Sequence, residues 1–66
     1  MTVTVNGRDR DLPDGAVLAD AVAAVSGAPA GLAVALNDDV VPRADWATTR
    51  VHAGDRIEVL TAVQGG

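Results

Sequence analysis

The pattern of apolar and polar positions begins as a strand pattern. Val3 and Val5 alternate with polar residues, and this period of two predicts a strand with both valines facing the core. Asn6-Gly7 follows and supplies the two positive φ angles of a type I′ hairpin turn. The return strand over residues 8–12 is unusually polar. It is therefore predicted to be an edge strand whose charges discourage association between sheet edges.

The spacing then changes to that of a helix over residues 16–26. The apolar stripe at i, i+3, i+4 and i+7 consists of Leu18, Ala21, Val22 and Val25. Asp14 is the predicted N-cap, and Asp20 lies in an early turn, where a negative charge is favoured by the helix dipole. Gly27 fits the left-handed position after a helix, and Pro29 prevents continuation.

The second half of the chain is predicted to form three strands. Residues 31–36 are a short apolar run, typical of a central strand buried on both faces. The segments after it are a turn at 37–39, a short strand at 40–41, a connection at 43–51 with one helical turn near 44–46, and a turn at 52–55. The final strand covers residues 56–63, with Ile57 and Val59 facing inward.

The order strand, strand, helix, strand, strand, strand predicts an α+β fold. One helix stripe and one sheet face must bury each other, which gives two layers. Hairpins on both sides of the helix join neighbouring strands, so the sheet of about five strands is predicted to be mixed. We expect residues 1–63 to form this single domain and residues 64–66 to form a flexible Gly-Gly tail.

Composition and charge exclude several classes of function. The 66 residues carry five Arg, no Lys and nine acidic residues, for a net charge of −4, and Trp46 is the one aromatic residue. Nucleic-acid binding needs clustered cations and stacking platforms, so it is not expected. An acidic surface suits a basic protein partner. The apolar runs are too short to span a membrane and the N-terminus does not resemble a signal peptide, so a soluble, cytoplasmic protein is expected.

Side-chain catalysis is difficult to build from these residues. A triad of Ser26, His52 and an aspartate has the required residue types, but both positions lie at predicted turns and are better explained as turn or cap residues. One His and no Cys cannot form a zinc site, and Asn37–Asp39 lacks the further oxygen ligands that calcium needs. The chain is therefore not expected to be an enzyme or to bind a metal or cofactor itself. Trp46 is interpreted as a partly buried anchor rather than a binding residue.

The end of the chain has a pattern that suggests function. Gly65-Gly66 follows the last predicted strand after Gln64 alone, without a longer polar spacer. Val63, Gln64, Gly65 and Gly66 can extend at most about 14 Å from the body. Two glycines allow the backbone to pass through a narrow slot. We therefore expect a tail that presents the Gly66 carboxylate to a partner, and we expect the same partner to bind Val63, Gln64 and Gly65.

The last strand also predicts a docking surface. If Ile57 and Val59 point inward, Leu60 and Ala62 point to the opposite, solvent-facing side. An exposed apolar pair next to the tail is a candidate interface.

Two segments resemble the ThiS family. They are Val41-Pro42-Arg43-Ala44-Asp45-Trp46 and the ending from Gly54-Asp55-Arg56-Ile57 to Thr61-Ala62-Val63-Gln64-Gly65-Gly66. ThiS proteins are the sulfur carriers of thiamine thiazole biosynthesis and have a ubiquitin-like β-grasp fold. The resemblance covers the whole chain. One departure is Ala16, where relatives often have a helix-capping Thr, and this affects helix stability more than function.

The resemblance implies a reaction cycle at Gly66. A partner adenylyltransferase, using ATP and Mg²⁺, converts the Gly66 carboxylate to an acyl-adenylate. A sulfur donor enzyme then displaces AMP and leaves a thiocarboxylate, from which thiazole synthase takes the sulfur. The carrier itself supplies delivery and positioning, and it is expected to be a monomer when alone.

Two alternatives remain open from the sequence. The same mechanism serves sulfur carriers of other pathways, namely those for molybdopterin, cysteine or tRNA thiolation. Alternatively, the chain is a non-conjugating β-grasp interaction module in which Gly65-Gly66 is incidental. Whether the C-terminus becomes a thiocarboxylate separates a carrier from such a module.

Overall fold

The computed structural model describes residues 1–25 and 31–61. Their elements are β1 (Thr2–Val5), β2 (Arg8–Asp11), α1 (Leu18–Val25), β3 (Leu32–Leu36), β4 (Asp39–Val41), a 3₁₀ turn (Arg43–Asp45) and β5 (Arg56–Thr61). Several residues with predicted roles lie outside the described residues, namely Ser26, Gly27, Pro29, Ala62 and the Gly-Gly tail. The same holds for the predicted boundary between residues 1–63 and 64–66. Within the described ranges, no helix is long and apolar enough to cross a membrane.

The five strands form one mixed sheet in the order β2-β1-β5-β3-β4. β1 and β5 run parallel at the centre, and the other three pairings are antiparallel. Helix α1 packs on one face and leaves the other face open. This arrangement is the β-grasp fold, so the predicted α+β class and element order are confirmed.

The core lies between α1 and the covered face of the sheet. Its least exposed large side chains are Leu18, Ile57, Val3, Val22 and Val34. Val3 and Val5 both face it, as their alternation predicts, and Ile57 is fully buried. The polar strand β2 lies at the sheet edge with all four residues exposed, so the edge-strand prediction is also confirmed.

The helix begins later than the spacing predicts, and Asp14 is not its N-cap. Residues Ala16 and Val17 instead extend along the 49–51 segment: the Val51 N–H donates to the Ala16 carbonyl at 3.1 Å, and the Leu18 N–H donates to the Thr49 carbonyl at 2.7 Å. The Asp20 carboxylate accepts from the Val17 N–H at 2.9 Å. The Leu18 contact satisfies the first free N–H group of the helix, and α1 begins at this residue.

Strand β3 is not buried on both faces, contrary to the prediction from its apolar run. Val34 is buried, Ala33 is exposed, and Leu32, Ala35 and Leu36 are half-buried. The reason is that the fold has two layers. Because α1 covers one face only, alternate residues of β3 remain in contact with solvent.

The irregular segment after β4 is fixed by its tryptophan. A 3₁₀ turn occupies Arg43–Asp45, close to the predicted helical turn. Trp46 follows it with 5% of its surface exposed, and its indole Nε1–H donates to the Val41 carbonyl at 2.9 Å. The Trp46 backbone carbonyl also accepts from the Ala19 N–H at 3.1 Å. These contacts confirm that Trp46 is an anchor between this segment and the helix.

Candidate functional site

Strand β5 is the element that connects the core to the candidate tail. It pairs with β1 on one side and with β3 on the other. Ile57 is buried beneath the helix and Val59 is half-buried, so the predicted inward pair is confirmed. A central strand with two neighbours and a buried side chain has little freedom to shift. The described part of the chain before the candidate tail is therefore held in the sheet.

Leu60 points away from the core, as predicted. It is 63% exposed on the open face of the sheet. Its cross-strand neighbour on the same face is Ala33 of β3, which is also exposed. The structure thus confirms that Leu60 is exposed. Ala62, the other residue of the predicted docking pair, lies outside the described residues.

The apolar surface around Leu60 extends further than the sequence predicts. Ala35 follows Ala33 on the same face, and Val40 of β4 lies directly across from Ala35 with 76% of its surface exposed. Leu60, Ala33, Ala35 and Val40 together form what we call the open-face patch. The hydrophobic pattern does not identify the residues that β3 and β4 contribute to this surface, because an apolar run gives no indication of which face is left uncovered. The pairing register supplies that information.

Charged side chains lie on the same face of the sheet as the open-face patch. By register, the open face also carries Glu58 beside Ala35, and Asp9 and Asp11 at the far edge. Arg56 is on the same face, where it forms an ion pair with Asp38. The hydrogen bond and the charge of Asp38 raise the pKa of Arg56. Arg56 is therefore already paired. Asp11 lies 3.5 Å from the N-terminal ammonium of Met1, and Glu58 and Asp9 add negative charge to the open face.

Two asparagine side chains attach β5 to the neighbouring turns. Asn6 Oδ1 accepts from the Val59 N–H at 2.8 Å, and Asn6 Nδ2 donates to the Val59 carbonyl at 3.1 Å. Asn37 Oδ1 accepts from the Arg56 N–H at 2.9 Å at the other end of the strand. Both asparagines have positive φ angles, 53° and 51°. The sequence identified both as turn residues, but their bonds to β5 depend on tertiary structure.

His52, one of the alternative catalytic residues, lies in an ordinary turn. The His52 backbone N–H donates to Asp55 Oδ2 at 2.7 Å, and His52 Nδ1 lies 3.8 Å from the same oxygen. His52 is exposed and lines a cleft of about 260 Å³ together with Arg50 and Met1. Ser26 lies outside the described residues, so the structure gives no distance between it and His52.

The described part of the chain offers no obvious metal centre. Among residues 1–25 and 31–61, no group of three or more His, Cys, Asp or Glu side chains is placed to hold an ion. Asp38 pairs with Arg56, and Asn37 is bound to β5 and to the Asp55 carboxylate. The 37–39 turn is accounted for by these contacts.

Comparison with known proteins identifies the family. The model of the ThiS family matches residues 3–66. The crystal structure of the thiamine biosynthesis protein ThiS from Geobacter metallireducens has 34% identity and a TM-score of 0.77, with all of both chains covered. An NMR structure of a thiamine biosynthesis protein from the same organism has 30% identity and a TM-score of 0.78, covering all of this chain and 88% of that one. No curated protein sequence matches this chain.

Proposed function

The chain belongs to the ThiS family of sulfur carriers, and we propose that it carries sulfur for thiamine thiazole synthesis as a thiocarboxylate on Gly66. The observation that carries the proposal is the match to the family over residues 3–66, which includes Gly65-Gly66. The proposal requires Gly66 to be the C-terminal residue of the working chain. Thiamine synthesis, rather than another thiolation pathway, is favoured by the two similar structures, both of thiamine biosynthesis proteins.

The chemistry begins with activation of a poor acyl donor. A free carboxylate resists nucleophilic attack, so the partner adenylyltransferase joins a Gly66 oxygen to the α-phosphorus of ATP and pyrophosphate leaves. Sulfide sulfur from a donor then attacks the acyl carbon, and AMP leaves. The product is a thiocarboxylate that thiazole synthase consumes. A terminal glycine suits these steps because no side chain hinders its carbonyl.

The carrier's own contribution is to dock and to position its tail. Ordering a flexible tail costs about 1–2 kcal/mol per residue, so the body must supply binding energy as well. The open-face patch is the surface that supports this role, since Leu60 is exposed one residue before the end of β5. The Glu58 carboxylate beside Ala35 and the net charge of −4 favour a partner with an apolar surface edged by cations.

The test is direct loading of the purified chain. We would incubate it with a ThiS-family adenylyltransferase, ATP, Mg²⁺ and sulfide, and measure its intact mass. The expected result is the replacement of one oxygen by sulfur, located by fragmentation to Gly66. An unchanged mass, under conditions that load a known ThiS carrier, would instead favour the non-conjugating interaction module.

Removal of Gly66 provides the second arm. We predict that the shortened chain keeps its circular dichroism spectrum and melting temperature, because the core formed by the described residues does not include Gly66. It should not become adenylated, as measured by ATP–pyrophosphate exchange. A shortened chain that is still loaded would contradict the proposed site, and one that unfolds would contradict the predicted separation of tail and body.

A further inference from the structure

The end of β5 is paired differently from its beginning. On the side facing β1, the Asp55 carbonyl accepts from the Thr4 N–H at 3.0 Å, and the Ile57 carbonyl accepts from the Asn6 N–H at 2.9 Å. These are ordinary main-chain bonds between parallel strands. The next residue of β5 that faces this side is Val59. There the chain of β1 has already turned away at Asn6 and Gly7.

The Asn6 side chain replaces the missing main-chain partner. Its amide offers one acceptor and one donor, and these match the Val59 N–H and carbonyl at 2.8 and 3.1 Å. Residues 6 and 59 are 53 positions apart in sequence. An aspartate could accept from Val59 but not donate to it, and a glycine could do neither. Asparagine also tolerates the φ of 53° that the turn requires.

We propose that Asn6 is a positioning residue for the tail: its amide holds β5 at Val59, so that the end of the strand nearest the tail keeps one position in the sheet. This inference rests on the proposed function. Without the Asn6 amide, Val59 loses both hydrogen bonds on its β1 side, and within residues 1–25 and 31–61 β3 is the strand that still pairs with this end of β5. The end of β5 would fray, and the partner enzyme would have to order it again at each encounter.

Asn6→Gly is the discriminating variant because glycine keeps the positive φ of the turn and removes only the side chain. Asn37→Gly is its matched control. Asn37 also occupies a positive-φ hairpin position, and its side chain makes two hydrogen bonds, with the Arg56 N–H and with Asp55 Oδ1. It holds the beginning of β5 rather than the end.

The first measurement is amide hydrogen exchange in the free proteins, which needs no partner. Asn6→Gly should raise the exchange rate of the Val59 amide by about tenfold over the original protein, after correction for any change in global stability. The reason is that the strand end can then open locally. Asn37→Gly should raise exchange at Arg56 and leave Val59 protected. Equal protection of Val59 in all three proteins would overturn the anchoring role.

The second measurement is the kcat/KM for adenylation. We expect about a tenfold loss for Asn6→Gly, which corresponds to about 1.4 kcal/mol and to re-ordering about one residue. The Asn37→Gly variant, compared at equal folded fraction, should match the original protein. Equal losses in both variants would mean that Asn6 is merely structural. If the original protein is not adenylated at all, the proposed function fails and the positioning role fails with it, while the exchange data still decide whether Asn6 anchors Val59.

Discussion

Leu60 allows the docking surface to be tested quantitatively. Complete burial of a leucine side chain is worth about 1.5–3 kcal/mol. In the free protein 63% of Leu60 is exposed, and this fraction is available for burial by a partner. Truncation in Leu60→Ala should therefore weaken docking by roughly 1–2 kcal/mol, or about 5- to 30-fold in Kd. The remaining 37% (100 − 63) is already buried, so the same change should lower the free energy of unfolding by only about 0.5–1 kcal/mol.

Leu60→Asp is the stronger version of the same perturbation. A carboxylate at the centre of an apolar contact must be desolvated without a partner, so docking should weaken further than in Leu60→Ala. Ala23→Asp provides the matched control. It introduces the same charge at an exposed position on α1, which covers the opposite face of the sheet.

The assay is calorimetric titration of each variant into the adenylyltransferase, with melting curves measured in parallel. A Kd for Leu60→Asp equal to that of Ala23→Asp would refute docking through the open-face patch. If Leu60→Ala lowered the free energy of unfolding by as much as it lowers the free energy of docking, the division of Leu60 into a buried and an exposed part would be refuted.

Two further predictions concern the core and its anchor. Ile57→Val removes one methylene group from a fully buried side chain, so the free energy of unfolding should fall by about 1 kcal/mol and the melting temperature by about 4–8 °C. An unchanged melting temperature would contradict the close packing under α1. Trp46→Phe removes the donor to the Val41 carbonyl and should cost about 1–2 kcal/mol in a urea titration, whereas docking through the open face should be unaffected.

Much of the fold could be predicted from local patterns. The alternation at Val3 and Val5 specified a strand and its inward face, because a side-chain period of two applies wherever one face is buried. The inward position of Ile57 specified the exposure of Leu60 in the same way. The Asn6-Gly7 turn followed from the need for two positive φ angles, which the structure confirms at 53° and 81°.

Other features depend on contacts between distant segments. The beginning of α1 was predicted two residues too early because Ala16 and Val17 fit the helical spacing. In the structure, however, the 49–51 segment pairs with these residues. Likewise, Asn6 could be identified as a turn residue, but its bond to Val59 joins positions that are far apart in the chain.

By itself, the sequence determined which side chains of each strand share a face, where the chain turns, and that Gly65-Gly66 follows the last predicted strand closely. Only the tertiary structure decided which face α1 would leave uncovered, and hence that Ala33 and Val40 join Leu60 in one patch. The physical reason is that periodicity is a property of neighbouring residues. Exposure depends instead on the number of layers that pack against the sheet, and here a single helix covers one face.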